Sequence, residues 1–354
     1  MLLRFKPEEF QPIIVNEKKI NLDVGNKILL STVVSTTTSA IIEKDYNKNI
    51  SMLKQDKGAK SNNITKLGSD KEYGVWIWNS AVTMSDLEMD IQINKAKSYG
   101  FNVIYMSVDD VFAHEKNKYN LAFSKFIKKA NNQGIEVDAV AGDKKWAKPE
   151  NRNKGYLIID YVIDYNKNNT KFRGFQFDVE PYLLTEYESN KRVVLSQFID
   201  FINLSAQKLI NTDLRFSIVI PHFYDSAVGW TPVIEFKGSK NYTYEHLLGI
   251  LDNNNNSSII VMSYRNFFDG KNGIREISDN EISKAGKTKV IVAQETGNHE
   301  PHYITYFGKN IEDLNGNVAK IFSSYNQSEG FGGVAIHNLN TLNNLKSDLL
   351  NLKY

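Results

Sequence analysis

From Tyr73 onward, short apolar runs alternate with longer amphipathic segments, and a repeated β-α unit on a parallel sheet is the arrangement that satisfies this rhythm. The runs are Gly74–Trp78, Asn102–Val108, Glu136–Ala141, Gly174–Glu180, Arg215–Ile220, Ser258–Ser263, Lys289–Ala293 and Gly332–Ile336. Helices are expected over Ser85–Ser98, Asn120–Asn132, Gly155–Asn166, Glu188–Ile210, Tyr244–Leu251, Asn310–Tyr325 and Thr341–Leu352. Ser85 with Glu88 three residues on is a capping-box start. Eight such units over about 280 residues match a (β/α)8 TIM barrel. The competing fold is an open doubly wound sheet, which usually carries a Gly-rich phosphate loop after its first strand. Here that strand runs into Trp78-Asn79-Ser80 instead.

Residues 1–70 are polar and rich in Lys and Asn, without the alternating pattern. They are expected to form an N-terminal extension, partly ordered around Ile28–Ile42, with the barrel occupying 71–354. The Ile28–Ile42 run, ILLSTVVSTTTSAII, is too short and too rich in Ser and Thr to span a bilayer, which takes roughly 20 apolar residues. A β-branched run of this kind reads as a strand or hairpin. Lys18, Lys19 and Lys27 precede it in the manner of a displaced secretion signal, so a secreted or cell-surface location is expected, with a cytoplasmic one left open. Lys plus Arg (43) nearly cancels Asp plus Glu (41), leaving a net charge of +2. That gives no electrostatic footprint for nucleic acid or anionic lipid. Cys is absent, which excludes disulfides, thiolate metal sites and a cysteine nucleophile.

The most informative stretch is Phe172–Tyr182, F-R-G-F-Q-F-D-V-E-P-Y. Side chains alternate between the faces of a strand. Phe175, Phe177 and Val179 therefore share one face, and Gln176, Asp178 and Glu180 the other. An apolar row against helices is ordinary; a row of one amide and two carboxylates facing inward is not, since buried charge is costly unless paired or used. Pro181 cannot donate to a ladder and ends the strand after Glu180. This places the carboxylate at the carboxyl end of a strand, where α/β barrels carry their chemistry.

Polar and aromatic residues collect at the same end of the other runs. They include Trp76 and Trp78 on the first, Asp109 and Asp110 on the second, and Asp143 with Trp146 on the third. His222 and Tyr224 follow the fifth, Met262, Tyr264 and Arg265 end the sixth, Glu295 ends the seventh and His337 the eighth. Cleaving a glycosidic bond needs a protonated carboxylic acid beside the leaving oxygen and a second group stabilising an oxocarbenium-like centre. An Asp two residues before the Glu can raise the proton affinity of its neighbour and keep it an acid near neutral pH. The rings of Trp78, Trp146, Tyr182 and Trp230 can stack on the apolar faces of sugars. The alternative for Asp178 and Glu180 is that they satisfy a buried Arg or Lys, and for the Trp residues that they fill the core.

Phe172–Tyr182 resembles the strand-four signature of glycoside hydrolase family 18, the chitinase and endo-β-N-acetylglucosaminidase group, in which three spaced Asp residues lead to D-x-E. The last Asp corresponds to Asp178 and the acid to Glu180. Met262-Ser263-Tyr264 resembles the family's sixth-strand M-x-Y, and Gly332–His337 its final strand. The resemblance implies a (β/α)8 glycoside hydrolase with Glu180 as general acid, Asp178 as its electrostatic partner and Tyr264 beside the substrate N-acetyl group. It implies a carbohydrate substrate, no cofactor and no metal. Trp78, Gln176, Tyr182, His222, Tyr224, Met262, Arg265, Glu295 and His337 would line the sugar cleft. The sequence departs from the pattern at Arg173 and Gln176, which replace the first two Asp residues, at Arg265, which replaces an Asp, and at His337, which replaces a Trp. Asp178 thereby loses its relay partner, and Gln176 is left as a hydrogen-bonding neighbour.

Two other readings remain. Val179-Glu180-Pro181 and Glu295 occupy the places of the acid/base and nucleophile in the large clan of retaining barrel glycosidases, whose N-E-P becomes V-E-P here. Alternatively, the lost Asp residues suit a carbohydrate-binding, chitinase-like barrel without catalysis, although such barrels commonly lose the Glu that this chain keeps. His299 and His302 read as loop histidines, since Pro301 interrupts any helix presenting both. No H-E-x-x-H, Walker-type loop or G-x-S-x-G elbow occurs. The sugar, the linkage and the oligomeric state are left open.

Overall fold

The computed structural model describes residues 71–112, 116–225 and 231–345. The extension expected over 1–70, Trp230, and the end of the helix expected over Thr341–Leu352 lie outside the described residues. Eight parallel strands close into a barrel: β1 (Glu72–Ile77), β2 (Val103–Ser107), β3 (Glu136–Ala141), β4 (Gly174–Phe177), β5 (Arg215–Pro221), β6 (Ser258–Met262), β7 (Lys289–Glu295) and β8 (Phe331–His337). Each strand pairs with its sequence neighbours, and β1 closes the ring by pairing with both β2 and β8, with Val75 opposite Ile104 and Ile336. The doubly wound alternative is thereby excluded.

Helices α1 (Asp86–Ser98), α2 (Lys116–Asn132), α3 (Arg152–Asn168), α4 (Tyr187–Leu209), α5 (Thr243–Leu251), α6 (Asp279–Lys284), α7 (Ile311–Tyr325) and α8 (Leu339–Leu342) follow the strands in turn. Ser85 caps α1 as expected, its Oγ accepting the Glu88 N–H at 3.4 Å. Among the described residues no helix is long and apolar enough to cross a membrane. Two elements were not anticipated. Helix α6 is six residues long, too short for a helical period to show. The hairpin Ile234–Phe236/Ser239–Asn241 turns through Lys237 and Gly238, both at positive φ, and lysine is not a residue that announces such a turn.

Strand alternation divides the hydrophobic residues into two cores. The outward set, including Ile104, Phe175, Phe177, Ile218 and Val292, packs with helix residues such as Phe123, Val162, Phe198 and Val318. The inward set, Trp76, Val103, Tyr105, Val140, Val219, Ile260, Ile291, Ala293 and Ala335, fills the barrel. Gly74 faces inward between Glu72 and Trp76, and a Cβ there would lie 2.5 Å from the Tyr105 ring. Gln176 is fully buried at mid-height. Its Oε1 accepts the Trp76 indole N–H at 2.7 Å and its Nε2 donates to Ser217 Oγ at 3.3 Å. This corrects its expected place in the sugar cleft: two residues below Asp178 on the inward row, it belongs to the barrel filling.

The amino end of the barrel is sealed by charge. Arg173 binds Asp138 through Nε (2.8 Å) and Nη2 (2.5 Å), and also reaches Glu72 (3.2 Å) and Glu136 (3.0 Å). Arg215 binds Glu72 at 2.7 Å, and Tyr105 donates to Glu72 at 3.1 Å. Burial alone would raise the Glu72 pKa, but Arg173 and Arg215 hold it below the ordinary value. Arg173, at the first position of the strand-four pattern, is therefore a plug and not part of the mouth. Arg173→Ala leaves Asp138 buried without its cation and Glu72 with Arg215 alone. We expect a loss of about 3–5 kcal/mol in unfolding free energy by urea titration; a loss below about 1 kcal/mol would mean the network behaves as an exposed one.

Candidate active site

The structure corrects the end of β4. The strand was expected to reach Glu180 but ends at Phe177. The Asp178 N–H still bonds to Ala141 O at 3.0 Å, so strand alternation carries Asp178 inward and Val179 outward into the helix-facing core. Glu180 has left the ladder. Its placement comes from the single turn Pro181–Leu183, closed by the Leu183 N–H on Glu180 O at 3.0 Å. The Tyr182 hydroxyl then donates to Glu180 Oε1. Gly142, just past β3, makes room for this segment: a Cβ there would collide with the Asp178 carbonyl.

Neither carboxylate is paired with a Lys or Arg among the described residues, which removes the reading that they merely satisfy a buried cation. Asp178 Oδ1 is buried and has no hydrogen-bond partner; Gln176 has spent its amide on Trp76 and Ser217 and does not supply one. Burial, followed by the Glu180 charge, pushes the Asp178 carboxyl up to about 7. Burial also raises the Glu180 pKa, against the pull of the Tyr182 hydrogen bond, His337 and Lys144. Burial thus raises the proton affinity of both groups above that of an exposed carboxylate.

Facing them are β7 and β8. His337 Nδ1 donates to Glu295 Oε2 at 2.8 Å, while its Nε2 accepts the Trp78 indole N–H at 2.8 Å. Glu295 Oε1 accepts the Gly297 N–H at 2.5 Å, and His299 Nε2 lies 3.7 Å from Oε2. Burial works against the Glu295 charge, but these donors prevail and hold its pKa below the ordinary value. Burial likewise resists charging of His337, yet the Glu295 bond and the nearby Asp178 and Glu180 raise its pKa above the ordinary value. A proton on Nε2 would have to displace the indole N–H. Both ring nitrogens are thus occupied, and His337 offers a sugar its face and no hydrogen bond.

Of the remaining expected residues, Trp78, Met262 and Tyr264 lie together over the inner core, each partly buried. The Tyr264 ring is 6.5 Å from that of His337, and burial with the surrounding carboxylates keeps its phenol protonated. His222 is partly buried, and burial with the Arg265 charge lowers its pKa to about 4, so it is neutral. Two expected sugar contacts are turned away. Tyr224 is fully buried in the helix-facing core against Phe198 and Phe223. Arg265 commits Nε to Asn272 O at 2.8 Å and Nη1 to Tyr264 O at 2.7 Å, and lies over the Tyr303 ring. Trp146 packs on Phe177 in the outer core and does not line the mouth.

Asp109 is the residue the sequence reading noted but left out of the site. Burial pushes its carboxyl up to about 6 against hydrogen bonds from the Gly142 backbone and Ser107, and its charge acts on Asp178. Its position at the end of β2 was the available signal. Among the described residues no group of three or more His, Asp or Glu could hold a metal ion.

Solved structures similar to this chain include chitinases. They include catalytic domain 2 of an Ostrinia furnacalis group II chitinase (12% identity, 77% of this chain and 90% of that one, TM-score 0.49). A GH18 chitinase from Cycas revoluta, in complex with (GlcNAc)3, is 11% identical over 76% of this chain and 95% of that one, with a TM-score of 0.44. A class V chitinase from Nicotiana tobaccum is 14% identical over 64% and 67%, with a TM-score of 0.39. No family model matches the chain, and no curated protein matches it. These likenesses assign no activity to this chain.

The raised Asp178 pKa has a cost in stability. Between pH 4 and 7 the folded protein keeps a proton that the unfolded chain, with its ordinary Asp value of 3.8, releases. Stability therefore falls as pH rises through this window. Asp178→Asn should gain stability relative to the parent at pH 8 but little at pH 4, by urea unfolding at both. Parallel pH profiles for the two proteins would contradict the assignment.

Proposed function

We propose that this barrel is a glycoside hydrolase that cleaves a β-linked polysaccharide or glycan, with Glu180 as general acid. The observation that carries the reading is a partly buried carboxyl beside Asp178 whose pKa burial raises, with no Lys or Arg paired to it among the described residues. Glu180 would give its proton to the glycosidic oxygen as the bond to the anomeric carbon breaks, and a water molecule would then add to that carbon and return a proton to Glu180. Asp178 would oppose the positive charge that develops. Its unpartnered Oδ1 also favours a substrate that brings a donor, and the N–H of an acetamido group is such a donor. That supports a sugar of the N-acetylhexosamine class, with Tyr264 beside it and Trp78 as stacking surface.

A retaining mechanism with Glu295 as nucleophile is disfavoured, because both of its oxygens are already engaged by Gly297 and His337. The second reading is a sugar-binding barrel without turnover, favoured by the commitment of Gln176 to Trp76 and Ser217 where a relay carboxylate would be needed. Glu180→Gln separates the two. We expect release of reducing ends from chitin, peptidoglycan or N-glycan fragments to fall by at least about a hundredfold, with calorimetric binding retained. Binding without release by the parent protein across that panel would favour the second reading, and unchanged turnover in the variant would remove Glu180 as the acid.

A further inference from the structure

The Trp78, His337 and Glu295 side chains form one hydrogen-bonded chain across three adjoining strands. Its origin is rigid backbone, the Gly297 N–H on Glu295 Oε1 at 2.5 Å. Glu295 Oε2 then takes the His337 Nδ1 proton at 2.8 Å, and His337 Nε2 takes the Trp78 indole proton at 2.8 Å. Every donor in the series has one acceptor, so the imidazole is held as the Nδ1–H tautomer and cannot turn over without breaking both bonds. The ring is also bounded by Trp76 at 5.8 Å, Trp78 at 5.9 Å and Tyr264 at 6.5 Å between centroids. We infer that Glu295 and His337 are positioning residues whose task is to aim the partly exposed Trp78 ring across the barrel mouth as a sugar platform.

The inference rests on the proposed sugar site for its purpose, but its geometry is independent of any reaction. It gives the strand-seven carboxylate and the strand-eight histidine a joint role that neither a nucleophile nor a hydroxyl contact would have. It also couples the platform to pH. A second proton on His337 removes the Nε2 lone pair, and the Trp78 N–H loses its acceptor. The charged groups that influence this proton are Glu295 from β7 and Asp178 and Glu180 from the segment after β4; His299, in the loop after β7, lies against Glu295, and Tyr264, beyond β6, faces the ring. Trp76 and Trp78 on the β1 side carry no charge.

The test uses the full chain, with the Trp78 indole N–H followed by proton–nitrogen NMR and identified by its loss in Trp78→Phe. The resonance should move when the pH is lowered through the His337 titration. In His337→Phe it should sit at a different shift and no longer respond to that titration. Glu295→Gln keeps the side-chain shape, removes the charge, and should lower the pH at which the signal moves. In kinetics on any hydrolysed glycan, Glu295→Gln should raise KM about tenfold with kcat changed less, as expected for a lost binding contact. A Trp78 signal indifferent to pH, to His337→Phe and to Glu295→Gln overturns the inference. So does a kcat lowered about a thousandfold in Glu295→Gln with the Trp78 signal unmoved, which is the signature of a nucleophile. If the parent cleaves no glycan but the indole signal behaves as expected, the positioning role stands and the proposed hydrolysis alone falls.

Discussion

A carboxylate removed from water must be paired, protonated or put to use, and this barrel meets that demand differently at its two ends. At the amino end, Glu72 and Asp138 are met by Arg173 and Arg215 in a closed network. At the carboxyl end, Asp178 and Glu180 have no such cation, and burial raises both of their pKa values instead. The first solution stabilises the barrel and leaves nothing reactive. The second destabilises it, since the folded barrel must hold on Asp178 a proton that the open chain would release.

The layer between them keeps the two solutions apart. Gln176 joins Trp76 and Ser217 across the interior, with Tyr105 packed beneath Trp76 at 4.8 Å between rings. An acidic side chain at position 176 would have linked Asp178 electrostatically to the strand below. With a neutral amide there, the neighbours that act on Asp178 are those at its own level: Glu180, His337 and Asp109. The amide at position 176 therefore does more than fill the barrel. It leaves Asp178 under the influence of Glu180, of His337 at the end of β8 and of Asp109 just past β2.

What could be read from the sequence follows what is local. The eight strands, six of the helices and the inward face of β4 rest on periodicities of two and 3.6 residues, which neighbouring residues carry among themselves. The end of β4 was misplaced because proline only forbids a donor; it does not say that the two residues before it remain in the ladder. Arg173 was visible as a departure from a motif, but its partners Glu72 and Asp138 lie on other strands. Tyr224 and Arg265 had suitable chemistry at suitable strand ends, yet a short turn sends the first into the helix-facing core and backbone carbonyls capture the second. The bond between Trp78 and His337 spans 259 positions, and closure of the barrel between β1 and β8 is what brings them together. No local pattern encodes such a pair.

Three carboxylates around one mouth end up with opposite tendencies, and the cause is the number of donors that reach each one. Glu295 receives a backbone N–H on one oxygen and an imidazole N–H on the other, so it ionises in spite of its burial. Glu180 receives one phenol, and burial prevails. Asp178 has an oxygen that receives nothing, and its proton affinity rises furthest from an exposed group's toward neutrality. Environments that drive like groups apart in this way mark out which can donate a proton and which cannot. Glu295 is a fixed anion spent on holding an imidazole. The raised proton affinities belong to Asp178 and Glu180, just past the end of β4, and that is the pattern the proposed acid at Glu180 requires.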